Sequence, residues 1–97
     1  MKPRLSDQQI TIIKQLGLSL FNANNVWIFG SRADENLKGG DIDIYLETDK
    51  EQTLKEKIIF LREFDKAFGE QKVDLVINNH QDEQAIFEIA KKEGIRL

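Results

Sequence analysis

Three aspartates and one glycine–serine pair are the residues whose types and spacing could do chemistry. Asp41 and Asp43 stand two apart in Gly40-Asp41-Ile42-Asp43-Ile44, and Asp74 sits in Val73-Asp74-Leu75-Val76-Ile77. On an extended strand, residues two apart leave the same face, about 6.5–7 Å from each other along the chain. Carboxylates gathered without a counter-charge repel one another and raise their own pKa values. A hard divalent cation relieves that repulsion, and oxygen-only donors select Mg²⁺ or Mn²⁺ rather than zinc. Gly30-Ser31 supplies the complementary half. Glycine lets the backbone approach an anion closely, and serine adds a hydroxyl and an N–H. Two metals held in this way activate an attacking hydroxyl and stabilise a leaving pyrophosphate. Taken singly, an Asp-x-Asp pair is ordinarily solvated and a Gly-Ser pair is ordinarily a turn. The metal reading rests on all of them converging.

Convergence depends on the elements that carry them. Ser6 and Gln9 form a capping box, Leu5 can staple against Ile10, and Ile10, Ile13, Leu16 and Leu20 mark a helix to about Phe21. Gly17 is a weak point in it. Val26–Phe29 is a short apolar run, expected as a buried strand ending at Gly30-Ser31. Residues 41–47 alternate acid and apolar, predicting a second strand. Thr48 and Asp49 are expected to cap a second helix marked by Leu54, Ile58, Leu61, Phe64 and Phe68 and closed by Gly69. Residues 72–77 predict a third strand, and Ile86, Ile89 and Ala90 the inner face of a third helix ending at Gly94. The order α-β-β-α-β-α implies an α/β fold, a small mixed sheet with helices packed on it. A helical crossover makes strands two and three parallel, while the short loop makes one and two antiparallel. All three acids and Gly30-Ser31 then meet at one end of the sheet.

Composition sets outer limits. The 97 residues leave room for one domain, residues 1–97, that buries about 65% of its surface. A net charge of −3 argues against an extended nucleic-acid-binding surface. With no cysteine, disulfides, zinc–thiolate sites and Cys nucleophiles are excluded, and the usage suits a reducing cytoplasm. A single His excludes a His-rich metal site. No apolar run reaches the ~18 residues of a membrane span, so no membrane association is expected.

Gly30-Ser31-Arg32-Ala33, then nine residues from Ser31 to Asp41-Ile42-Asp43, then 30 residues between Asp43 and Asp74, form a joint pattern. It resembles the minimal nucleotidyltransferase (MNT) family of the DNA polymerase β superfamily, over nearly the whole chain. The resemblance implies the nucleotidyltransferase fold and transfer of NMP from an NTP, with ATP as substrate. Gly30, Ser31 and Arg32 would hold the triphosphate. Asp41, Asp43 and Asp74 would bind two Mg²⁺ ions, with Mn²⁺ an alternative, and Asp74 would help take the acceptor's proton. Proteins of this size resemble the antitoxin of HEPN–MNT toxin–antitoxin pairs, in which the partner HEPN toxin is adenylylated on a tyrosine or simply blocked.

Two features depart from the family pattern. Asp34-Glu35 place negative charge near the expected triphosphate, and Gly40 stands where a serine often precedes the first aspartate. The alternative is therefore a catalytically idle binding module that neutralises its partner by occlusion. Transfer to a small molecule is a weaker reading, because the chain carries no added helical domain. A partner would need exposed apolar surface; Trp27, Tyr45, Phe60 and Phe87 are candidates, with core packing the plainer account. His80 is read as a surface or capping residue.

Overall fold

The computed structural model describes residues 2–34, 36, 39–69 and 71–97. Helix α1 (Asp7–Phe21) opens on the expected capping box: Ser6 Oγ accepts from the Gln9 N–H, and Gln9 Oε1 accepts from the Ser6 N–H. Gly17 does not end this helix. It is buried within α1, where a Cβ would press on Val26 Cγ2 at 3.1 Å. Strands β1 (Val26–Phe29), β2 (Ile42–Glu47), β3 (Val73–Asn78) and β4 (Ile95–Arg96) form one sheet in the order β3-β2-β1-β4. β1 runs antiparallel to β2 and β4, and β2 is parallel to β3. Helix α2 (Leu54–Phe68) makes the crossover, and α3 (Ala85–Glu93) returns the chain to β4. The small α/β fold with a mixed sheet is as the sequence predicts, with β4 added.

Alternation along the strands gives the sheet two apolar faces. Ile28, Ile42, Ile44, Leu46 and Leu75 pack under α1 and α2 with Ile13, Phe21, Phe60 and Phe64. Trp27, Phe29 and Tyr45 pack with Phe87 and Ala90 of α3. Fully burying a large apolar side chain stabilises by about 1.5–3 kcal/mol, so these two layers hold the sheet rigid. Tyr45 lies between the rings of Trp27 (5.4 Å) and Phe87 (5.7 Å). Its hydroxyl donates to Glu47 Oε2 at 2.8 Å and accepts from Asn78 Nδ2 at 3.1 Å. Burial pushes its pKa up to about 12, so the hydroxyl stays protonated.

Several local expectations are corrected. Thr48 and Asp49 do not cap α2. Thr48 is buried, its N–H extends the ladder to Asn78 O, and its hydroxyl donates to Phe21 O at 2.7 Å. The helix begins after Thr53 instead. Leu54, Ile58 and Ile89 face outward, because α2 buries the Phe60–Phe64 stripe and α3 the Phe87–Ala90 stripe. Trp27, Tyr45, Phe60 and Phe87 are core, so none offers docking surface; among the described residues, Leu18, Leu54, Ile58 and Ile89 are the exposed large apolar ones. No described helix is long and apolar enough to cross a membrane.

Candidate functional site

The register of the central ladder decides which carboxylates meet. β2 and β3 run in parallel with Asp43 opposite Asp74, and β1 places Phe29 opposite Asp43. Asp43 alternates with Ile42 and Ile44, which are fully buried on the α1–α2 side, so its carboxylate leaves on the α3 side. Asp74 alternates with buried Leu75 in the same sense. The chain leaves β1 through Gly30, which has φ +70°, and enters a single 3₁₀ turn, Gly30–Ala33. A Cβ at Gly30 would collide with Asp43 Oδ2. The turn is therefore laid directly against the carboxylate, in a conformation and a space that favour glycine.

Burial pushes the Asp43 carboxyl above its ordinary range, and repulsion from Asp74 and then Asp41 adds to the shift, as does a hydrogen bond with Asp74. Lys72 opposes it weakly. Asp41 lies just before β2, exposed, with its Oδ2 3.7 Å from Lys72 Nζ. Thus Asp43 and Asp74 face each other, while Asp41 stands beside them on a lysine. Among the described residues, no group of three His, Cys, Asp or Glu side chains is arranged as a metal cage. The donor set nevertheless suits Mg²⁺, which needs only one or two carboxylates when substrate phosphates supply the rest. The half-buried Asp43, repelled by two neighbouring acids and bordered by the glycine turn, is the carboxylate that a cation would relieve most.

Ser31 is half-buried, and Gly39 comes so close that a Cβ there would lie 2.7 Å from Ser31 Oγ. Arg32 does not point a bare guanidinium at this turn. It donates to Arg4 O at 2.8 Å, to Gly40 O at 3.1 Å and to Gln71 Oε1 at 3.4 Å. Asp34 turns its carboxylate onto its own loop, where Oδ1 accepts from the Asn36 N–H at 2.9 Å. Glu35, the second acid of that pair, lies outside the described residues.

Over residues 11–97 the chain matches the family described as Polymerase beta, Nucleotidyltransferase. The chain belongs to that family. No curated protein is significantly similar to it. The matched span takes in every element of the fold, α1 from residue 11 onward, including Gly30-Ser31, Asp41, Asp43 and Asp74. A larger depression of about 830 Å³ lies at the other end of β3, between Asn78 and the start of α3. Asp82, Glu83 and Glu88 line it, and these acids would repel a triphosphate. His80 stands there too, exposed at φ +64°, its N–H on Asn78 Oδ1 and its ring 3.7 Å from Asp49. It is a turn residue, far along β3 from the acids.

Sequence reasoning missed Arg4 and Lys72. Lys72 could have been noticed as the residue preceding a strand that carries an acid. Nothing local marks Arg4.

Proposed function

We propose that this nucleotidyltransferase transfers AMP from ATP to a tyrosine hydroxyl of a HEPN-family toxin and so acts as its antitoxin. The observation that supports it is the Asp43–Asp74 pair across the β2–β3 ladder, with Gly30-Ser31 laid against it. Asp41, Asp43 and Asp74 would hold two Mg²⁺ ions. When bound, these supply positive charge to the phosphates and the entering oxygen. Gly30 and Ser31 orient the triphosphate by close backbone approach. The acceptor oxygen attacks the α-phosphorus in line, forming one P–O bond as the bond to the β-phosphate oxygen breaks and pyrophosphate leaves. Asp74 takes the acceptor's proton at a carboxylate oxygen.

The Lys72–Asp41 contact and Asp34 favour a second reading, a catalytically idle module that blocks the same partner by occlusion. Incubation with labelled ATP, Mg²⁺ and the protein encoded beside this one separates the two. Label transfer that is lost in the Asp41→Asn, Asp43→Asn double variant supports the enzyme. A tight complex with no transfer, equally tight in the double variant, supports occlusion.

A further inference from the structure

Arg4 precedes the residues matched by the family, yet it is wired into the site. Its N–H donates to Arg32 O at 2.8 Å. Its Nη2 donates to Ser31 O at 3.0 Å and to Gly39 O at 3.4 Å. Arg32 reciprocates by donating to Arg4 O and to Gly40 O. Each guanidinium therefore ties the turn after β1 to residues 39–40, which lead directly into Asp41. In Arg4 one nitrogen, Nη2, carries both side-chain bonds, and the rigid planar guanidinium fixes the direction of its N–H groups.

The arrangement is costly for a mere tether. Among the described residues neither Arg4 nor Arg32 forms an ion pair, and the Nε of each is buried without a partner. A buried unsatisfied donor destabilises, and a neutral amide could bond carbonyls without an uncompensated charge. The Arg4 charge stands against the carbonyl of Ser31, on a chain of net charge −3.

We infer that Arg4 is a positioning residue for the nucleotide's phosphates, an inference that rests on the nucleotidyltransferase reading above. Its Nη2 ties Ser31 to Gly39 so that Gly30-Ser31 and Asp41 stand in register before nucleotide arrives. Its charge adds positive potential behind the turn. Ordering a loop in advance strengthens binding by removing the entropy otherwise lost on association.

The test compares the wild type with Arg4→Gln, Arg4→Lys and Gln9→Ala. The last opens the α1 capping box and serves as a control for general loss of stability. Affinity for Mg²⁺–ATP is measured by calorimetry, and amide exchange across residues 31–34 and 39–42 is measured without nucleotide. Arg4→Gln should weaken ATP about tenfold, the effect of losing charged hydrogen bonds. It should also speed exchange in both segments. Arg4→Lys should recover part of the affinity, since charge returns on a flexible ammonium that fixes the two carbonyls less rigidly. Gln9→Ala should lower the melting temperature and leave both readouts in place. Wild-type affinity and exchange in Arg4→Gln would overturn the inference, as would an equal loss of affinity in Gln9→Ala. If the wild type itself binds no ATP, the nucleotidyl-transfer reading fails. The phosphate role of Arg4 falls with it, and faster exchange in Arg4→Gln then shows only that Arg4 orders the loop.

Discussion

At the scale of single residues, Gly30 and Asp43 behave as one unit, because the space beside the carboxylate exists only while residue 30 has no side chain. Gly30→Ala should destabilise by about 1–2 kcal/mol for the left-handed backbone alone. It should also displace Asp43, so that a Mg²⁺ titration followed by melting temperature shows no shift. Asp43 has its own pH signature. Its folded pKa lies above the ordinary 3.8, so the folded protein holds the proton more tightly than the unfolded chain. The stability this contributes is full below about pH 4 and is lost as pH rises through the folded value. Metal-free Asp43→Asn should therefore melt higher than the wild type at pH 7, with the gain vanishing below pH 4; melting curves across pH check it. These acids were legible in the sequence because period-two alternation fixes their face and the element order fixes their end. Arg4 was not, because its partners are carbonyl oxygens of Ser31, Gly39 and Arg32, and a main-chain acceptor has no residue type to notice.

At the scale of elements, legibility follows how local the determinants are. The α1 start was readable, since Ser6 and Gln9 satisfy each other within four residues. The α2 start was misplaced because Thr48, an apt cap by type, is already bonded to Phe21 O and its N–H to Asn78 O. β4 escaped notice because two paired residues after a helix carry no periodic signal; Ile95 and Arg96 become a strand only against Ile28 and Trp27. The joint between α3 and β4 is correspondingly tight. A Cβ at Gly94 would strike the carbonyl oxygen of Ala90 and lie 2.8 Å from that of Ile28. Both are backbone atoms that cannot swing aside. Gly94→Ala should destabilise by about 1–3 kcal/mol, read from denaturant midpoints, by prising α3 from β1.

At the scale of the molecule, a divalent cation that binds only the folded state should raise its stability. At ten times Kd the gain is about 1.4 kcal/mol, or roughly 6–11 °C for a domain of this size. Thermal melts over a Mg²⁺ or Mn²⁺ series measure it, and Asp43→Ala should abolish the shift. The β2–β3 ladder gives this linkage a mechanical aspect. At one end Asp43 and Asp74 push apart across the strands. At the other, Tyr45, Glu47 and Asn78 are bonded together, with Lys91 Nζ 3.2 Å from Glu47 and 5.5 Å over the Trp27 ring. Like charges directly opposite destabilise a strand pair, whereas a bonded, buried network stiffens it. The central sheet is thus bonded at one end and crowded with acids at the other, and the proposed chemistry sits at the acidic end. Cation binding would then relieve the strain between two strands that are already paired, so that loading the site and stiffening the sheet become one event.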